Sequence, residues 1–294
     1  MATRDPRATS RALVAALAAL LLGTGEAKAG GEWVRVKAPT AGPASSIGAP
    51  SHGCIAGAKG LPLEGPGYQV VRPSRRRFFG HPALLLYLQA LGREVAQAGL
   101  EDLYIADLGL PRGGPMPGGH ASHQTGLDVD VFFDLAPKPR LAAGRREDLV
   151  SDTLVAADDL GVDPARWRPE HARLLALAAA SDAVDRIFVH PAIKQQLCRT
   201  VAGERAWLHK LRPWYGHDAH FHVRLRCPSG SPACESEAEI PPGDGCDDTL
   251  AWWFVEEDGR MPAWREVDPR PPRTEPAREP VPLPSACAAV LHAK

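Results

Sequence analysis

Two short segments, far apart in the chain, constrain its fold more than any other feature. Leu127-Asp128-Val129-Asp130-Val131-Phe132-Phe133 alternates apolar and acidic residues at its start. The two-residue period of a strand sets Leu127, Val129 and Val131 on one face and both carboxylates on the other. His220-Phe221-His222-Val223-Arg224-Leu225-Arg226 repeats the pattern, with Phe221, Val223 and Leu225 opposite two histidines and two arginines. Such strands need an oily layer on one side only. The expected fold is therefore α+β, with a small antiparallel sheet carrying the titratable faces, surrounded by helices and long loops.

The remaining signals are shorter. From His81 to Gly99 the sequence predicts a core helix: Pro82 suits the first position, Leu84, Leu85, Leu88, Leu91 and Val95 recur at helical spacing, and Gly99 can end it. Leu103 to Asp107 reads as a short strand, followed by a Gly/Pro-rich loop from Gly109 to Gly119. Residues 145–181 read as mainly helical, interrupted at Gly161, Pro164 and Pro169. Residues 186–190 read as a buried strand, and 193–198 and 205–211 as short helices. Residues 30–67 show little periodicity and predict an irregular segment wrapping the domain. The 29 prolines and 28 glycines agree with a loop-rich chain, and Arg270 to Pro284 suits an extended tail. The organisation expected is one domain over 30–269 and a Pro-rich tail over 270–294 that ends in a cysteine clasp.

The first 29 residues set the compartment. Arg4, Arg7 and Arg11 precede an uncharged run from Ala12 to Leu22, and Ala27-Lys28-Ala29 places small residues for cleavage, the pattern of a secretory signal peptide. The apolar run falls short of the roughly 20 residues that span a bilayer, so no membrane span is expected after cleavage. All six cysteines lie beyond that point, and an even number in an exported chain predicts disulfides. The pairing expected is Cys227 with Cys234 as a short clip, Cys198 with Cys246, and Cys54 with Cys287 joining the two ends. A formal charge of −1 gives no basic field for nucleic acid.

Chemistry concentrates in two places, His120-Ala121-Ser122-His123-Gln124-Thr125-Gly126-Leu127-Asp128-Val129-Asp130 and His217-Asp218-Ala219-His220-Phe221-His222. Without free thiols, zinc is most naturally held by imidazole nitrogen and carboxylate oxygen, with three protein ligands and one open position. These segments can supply that set. The chain lacks a His-Glu-x-x-His helix, a Gly-x-Ser-x-Gly elbow and a Gly-x-x-x-x-Gly-Lys-Ser/Thr loop. Ser122 stands between histidines, yet nothing in the sequence gives it an oriented base or an oxyanion hole. Metal-activated hydrolysis is the chemistry that remains.

The spacing His123-x6-Asp130 followed by His220-x-His222 resembles the metal motif of the superfamily of lysostaphin, D-Ala-D-Ala metallopeptidases and sonic hedgehog. More narrowly, the chain resembles the penicillin-insensitive murein endopeptidases of Gram-negative bacteria. The resemblance runs through Arg77-Phe78-Phe79-Gly80-His81-Pro82, through Gly118 to Asp130, through Pro191-Ala192-Ile193-Lys194-Gln195-Gln196-Leu197-Cys198, and through His220 to Pro228. It implies that His123, Asp130 and His222 bind a catalytic zinc, with His220 beside it and His217 as a further active-site histidine. His120 matches a position associated with a second metal, but Ser151 to Asp159 lacks the histidine expected for that site, which argues against a second ion.

The resemblance further implies a periplasmic enzyme that hydrolyses the D-alanyl to meso-diaminopimelyl cross-link of peptidoglycan; the sequence does not fix its oligomeric state and leaves a dimer open. The alternatives are a zinc carboxypeptidase or dipeptidase of the same superfamily, or a murein-binding protein without catalysis. Asp128 has two readings, an orienting partner of a ligand histidine or a solvated carboxylate. Arg224 and Arg226 also have two, a clamp on a peptide carboxylate or structural pairing. Trp214 and Tyr215 fit either the wall of a substrate groove or packing under a loop. His81 reads as helix-entry structure, and His52, His171, His190, His209 and His292 as structural or exposed. Trp252 and Trp253 are too distant in sequence to place.

Overall fold

Residues 29–118, 120–254 and 282–294 are described by the computed structural model. The expected signal peptide, apart from Ala29, and tail residues 270–281 lie outside them. In chain order the elements are α1 (Ala29–Arg35), β1 (Ser45–Ala49), β2 (His52–Ala56), β3 (Lys59–Gly60), β4 (Glu64–Gly65), β5 (Tyr68–Val70), β6 (Phe79–Gly80), α2 (Pro82–Gln97), β7 (Leu103–Ile105) and β8 (Asp128–Phe132). There follow α3 (Pro169–Ala180), β9 (Val184–Val189), α4 (Pro191–Thr200), β10 (Leu211–Pro213), β11 (His220–Leu225), α5 (Asp248–Ala251) and α6 (Ser285–His292).

Both alternating segments form strands and pair with each other. Strands β8 and β11 run antiparallel at the centre of a seven-stranded sheet of order β10-β9-β11-β8-β7-β5-β4. Their register sets His222 opposite Asp130 and Arg224 opposite Asp128. On the other side of β11, strand β9 places Phe188 opposite His222. The α+β expectation holds, and the sheet is wider than expected and mixed: β10 runs parallel to β9, and β5 parallel to β7. Parallel neighbours need a crossover, and α4 and α2 supply the two crossovers.

The apolar sheet face, with Val129, Val131, Phe221, Val223 and Ile187, packs against Leu84, Leu88, Leu91 and Val95 of α2 and Leu174, Leu175 and Ala178 of α3. Each large side chain buried here contributes about 1.5–3 kcal/mol. Helix α2 starts as its sequence predicts, with Pro82 in its first turn and His81 Nδ1 accepting the Ala83 N–H at 3.1 Å. It also crosses unusually close to the chain before β5. A Cβ on Gly67, whose φ is +73°, would sit 1.8 Å from the Gly92 carbonyl oxygen, so only glycine fits.

Two expectations need correction. Residues 30–67 are not irregular: α1, the antiparallel hairpin β1/β2 and the short strands β3 and β4 lie there. Strand β1 carries a single large apolar side chain, Ile47, so its alternation is invisible. It is held instead by backbone bonds, with Gly48 N–H donating to the Ala233 carbonyl at 2.8 Å and the Gly48 carbonyl accepting from Glu235 N–H at 3.0 Å. Nor is the stretch 145–181 mainly helical, since α3 begins only at Pro169. Before it the chain makes turns and a bridge between Val155 and Val162, in keeping with Gly161 and Pro164, which disfavour a continuous helix.

All three disulfides pair as expected, Cys54–Cys287, Cys198–Cys246 and Cys227–Cys234. The second draws the Asp244 carbonyl over Lys194, whose Nζ donates there and to the Leu208 carbonyl. Burial pushes the Lys194 ammonium down to about 7, with Arg212 adding to the effect and Asp244 opposing it. Cys54–Cys287 joins β2 to α6 within a separate apolar cluster of Trp33, Ile47, Leu110, Met116 and Val290. Because it closes a loop of 233 residues, the Cys54→Ala/Cys287→Ala double variant is expected to lose about 2–5 kcal/mol of unfolding free energy. Denaturant titration measures that loss, and limited proteolysis should show earlier cleavage next to α6.

Candidate metal centre

The loop from His120 to Gly126 carries the first group of functional side chains, and backbone contacts fix it before any ligand is considered. Gly126 has φ of +72° and its carbonyl accepts the His81 N–H at 2.8 Å; a Cβ there would meet Ile55 Cδ1 at 2.8 Å. Gln124 ties the loop to the β1/β2 hairpin, accepting from Gly53 N–H at 3.1 Å and donating to the Ser51 carbonyl at 2.6 Å. His123 adopts a left-handed backbone, φ +67°, a conformation that costs a non-glycine residue on the order of 1 kcal/mol. Its N–H donates to Asp128 Oδ2 at 3.0 Å, which stabilises that backbone and turns the imidazole inward.

The hydrogen bonds then assign the protons on three rings. His123 Nδ1 lies 2.7 Å from the Leu108 carbonyl, which can only accept, so Nδ1 carries the hydrogen. His222 Nε2 lies 2.9 Å from Asp128 Oδ1, and His120 Nε2 lies 2.8 Å from Asp107 Oδ2, so both of these nitrogens donate. When the rings are neutral the opposite nitrogens hold lone pairs, and all three face Asp130. Asp128 raises the His222 pKa against its burial, so a cation competes there with a second proton. His222 Nδ1 and His123 Nε2 are 3.1 and 3.4 Å from Asp130 Oδ1, and His120 Nδ1 is 3.7 Å from Oδ2. Asp130 Oδ1 is buried without a hydrogen-bond partner among the described residues. Lone pairs converging on a carboxylate in this way fit a cation, and the donor set of imidazole nitrogen and carboxylate oxygen suits zinc. His120, His123 and Asp130 each offer an atom within 4.8 Å of the others, and His222 completes the cluster across the β8/β11 register.

Asp128 resolves to an orienting group rather than a solvated one. It is fully buried and accepts from the His123 backbone, His222 Nε2 and, at 2.7 Å, Arg224 Nε. Burial alone would raise its pKa, but Arg224, and then His222, outweigh burial and keep it ionised. Arg224 is in turn paired with Glu237, which also meets Arg186 at 2.9 Å. Arg224 is thus structural and not a clamp for substrate. Asp130 is likewise held well below the usual carboxylate range: against its burial, His123 and His220 in their protonated forms favour its charge, as a cation in their place would.

His217 and His220 stand at the open side of the cluster. His220 Nε2 is 3.7 Å from Asp130 Oδ1, and the two imidazoles lie 5.2 Å apart by centroid. His217 Nδ1 approaches the Trp214 and Tyr215 carbonyls at 3.2 and 3.0 Å, which leaves its Nε2 as an acceptor. Burial, with His220 and His222 beside it, lowers its pKa to about 3, so the ring is neutral. Burial also lowers His220, against the pull of Asp130.

All six histidine and aspartate positions singled out in the sequence therefore meet in one place. Several partners were missed. Asp107 holds His120 and is itself held by Arg77 at 2.6 Å; it ends a predicted strand before a glycine-rich loop, a signal that was available. Trp252 and Trp253 return to the site, with Trp253 5.0 Å from Tyr215 and 6.1 Å from Trp214, a contact no local pattern encodes. His81 and His190 cap helices, and His171 bonds the Arg168 N–H and the Phe133 carbonyl.

The penicillin-insensitive murein endopeptidase family profile matches residues 46–292. A penicillin-insensitive murein endopeptidase of Klebsiella pneumoniae is 47% identical over 279 residues, 95% of this chain and 97% of the relative. One of Escherichia coli O1:K1 is 46% identical over 272 residues, 92% and 94% of the two chains.

Replacing Asp128 by Asn keeps its shape but removes the charge that fixes the His222 tautomer. Isothermal titration with zinc is expected to show binding about 10–100-fold weaker than in the parent protein; unchanged affinity would remove the orienting role of Asp128.

Proposed function

Given that the chain belongs to the penicillin-insensitive murein endopeptidases and is a hydrolase of peptide bonds in murein, we propose that it works through one zinc ion held by His123, Asp130 and His222. The observation that supports this most is the partnerless Asp130 Oδ1 facing the lone-pair nitrogens of two buried imidazoles. We further propose the periplasm as its compartment, after removal of residues 1–29, and the D-alanyl to meso-diaminopimelyl bond as the one it cuts. No helix among the described residues is long and apolar enough to cross a membrane.

When bound, zinc supplies Lewis acidity, which polarises a carbonyl and brings the pKa of water to about 7. The chain's own residues do the rest. Asp128 and the Leu108 carbonyl hold His222 and His123 in the tautomers that aim their lone pairs inward. His217 is neutral, and its Nε2 accepts a hydrogen bond from the attacking water and orients it. His220, 3.7 Å from Asp130, lies where it can hydrogen-bond the oxyanion that develops on the scissile carbonyl. Neither step uses a protein nucleophile, and β-lactams, which acylate serine enzymes, have no target here. His120, held by Asp107 at 2.8 Å, turns its Nδ1 toward Asp130 Oδ2 and lies close enough to His123 and Asp130 to share their ion, so a single ion accounts for the cluster.

Incubating the mature protein with cross-linked muropeptide dimers, with chelator and then with zinc restored, is expected to give monomers only when metal is present. Cleavage confined to terminal D-alanine of uncross-linked pentapeptide would instead make it a carboxypeptidase. His222→Ala and His123→Ala are expected to lose both metal and turnover. His220→Ala should keep its zinc while kcat falls about 10²–10⁴-fold; metal content by mass spectrometry separates the two cases.

A further inference from the structure

Beside His217 the surface carries aromatic rings that amide hydrolysis leaves unused. Trp214 is 43% exposed and Trp252 59% exposed. Trp253 lies between them, its ring centroid 6.1 Å from Trp214 and 5.3 Å from Trp252. Phe188 links this run to the centre, 5.9 Å from Trp214 and 5.4 Å from His222. The run is anchored at several points. Tyr215 Oη donates to the Trp253 carbonyl at 2.6 Å, Asp247 caps α5 by accepting the Thr249 N–H at 3.0 Å, and Cys198–Cys246 fastens the chain just before that helix. Two exposed indoles joined through a half-buried third and held this firmly suit a binding surface.

The chemistry of murein says what would occupy it. Murein is a polymer of N-acetylated pyranose chains joined by short peptides, so each cross-link arrives with sugar rings attached. Diaminopimelate is the third residue of its stem, and three extended residues span about 10 Å. The aromatic run begins two ring contacts from His222, through Phe188 to Trp214, at 5.4 and 5.9 Å by centroid, a reach comparable with that span. Indole rings carry no charge and offer flat faces, which suit the C–H face of a pyranose, whereas the carboxylates of the stem peptides find no partner on them.

We propose that Trp214, Trp253 and Trp252 form a saccharide-binding shelf that stacks a pyranose ring of the murein glycan and so presents the attached cross-link to the centre. This rests on murein being the substrate. The test compares two cross-linked substrates, one still bearing its disaccharides and one freed of sugar by amidase, on the full mature enzyme. In Trp252→Ala the ratio of kcat/KM for the sugar-bearing dimer to that for the sugar-free dimer is expected to fall about tenfold, through KM. Trp252→Phe should restore the ratio to within about twofold, and Trp252→Leu should not. As a second readout, peptide-free glycan fragments should quench the tryptophan fluorescence of the parent protein saturably, and this response should be lost in Trp252→Ala. An unchanged ratio, or one restored by Leu, would overturn the shelf and assign the rings to general apolar cover by another part of the chain. A parent enzyme that cuts neither dimer would overturn the endopeptidase premise as well, whereas one that cuts both while the ratio stays fixed overturns the shelf alone.

Discussion

Everything about this chain turns on one unfavourable contact, an ionised carboxylate oxygen surrounded by imidazole lone pairs. With His123 and His222 neutral, Asp130 Oδ1 has no hydrogen-bond donor among the described residues, because the hydrogens of those rings are committed elsewhere, His123 to Leu108 and His222 to Asp128. Buried polar atoms without partners are costly, and a cation between them turns the same arrangement from repulsive to attractive. The surrounding groups make sense as means of preserving it. Asp128 accepts three hydrogen bonds, Arg224 keeps it ionised, and Glu237 with Arg186 holds Arg224.

Sheet register delivers these groups to one another. The pairing of β8 with β11 is antiparallel, so His222 meets Asp130 and Arg224 meets Asp128 on one face, while Val129 and Val223 meet on the other. A slip of one residue would send the carboxylates into the apolar layer against α2 and α3. The oily face therefore specifies the polar one, and the stability of the core and the geometry of the centre are a single constraint. The loop that brings His120 and His123 is held separately, by Gln124 and Gly126 against the hairpin β1/β2.

Where function follows from period or spacing, the sequence was legible. Alternation placed Asp128, Asp130, His220 and His222 on one face, Pro82 and the leucine spacing marked α2, and cysteine position led to all three pairs. What escaped was structure held by backbone or by distant partners. Strand β1 lacks apolar alternation because the Gly48 backbone and the Ser46 hydroxyl, which donates to the Thr125 carbonyl, hold it. Residues 145–168 mimic a helix in composition, yet Gly161 and Pro164 favour turns. Asp107 acts through Arg77 and His120, and Trp252 and Trp253 reach the site in a segment fastened by Cys198–Cys246 and by the Tyr215 hydroxyl on the Trp253 carbonyl. Such contacts join residues remote in the chain and leave no local pattern.

X-ray absorption at the zinc edge on the mature protein, joined to metal quantitation, tests the centre most directly. The account predicts one zinc per chain with two imidazoles and a carboxylate in its shell, no sulfur, and loss of the imidazole scattering in His222→Ala. A protein that binds no zinc at micromolar concentration, or whose zinc has sulfur neighbours or an unaltered shell in His222→Ala, would contradict it.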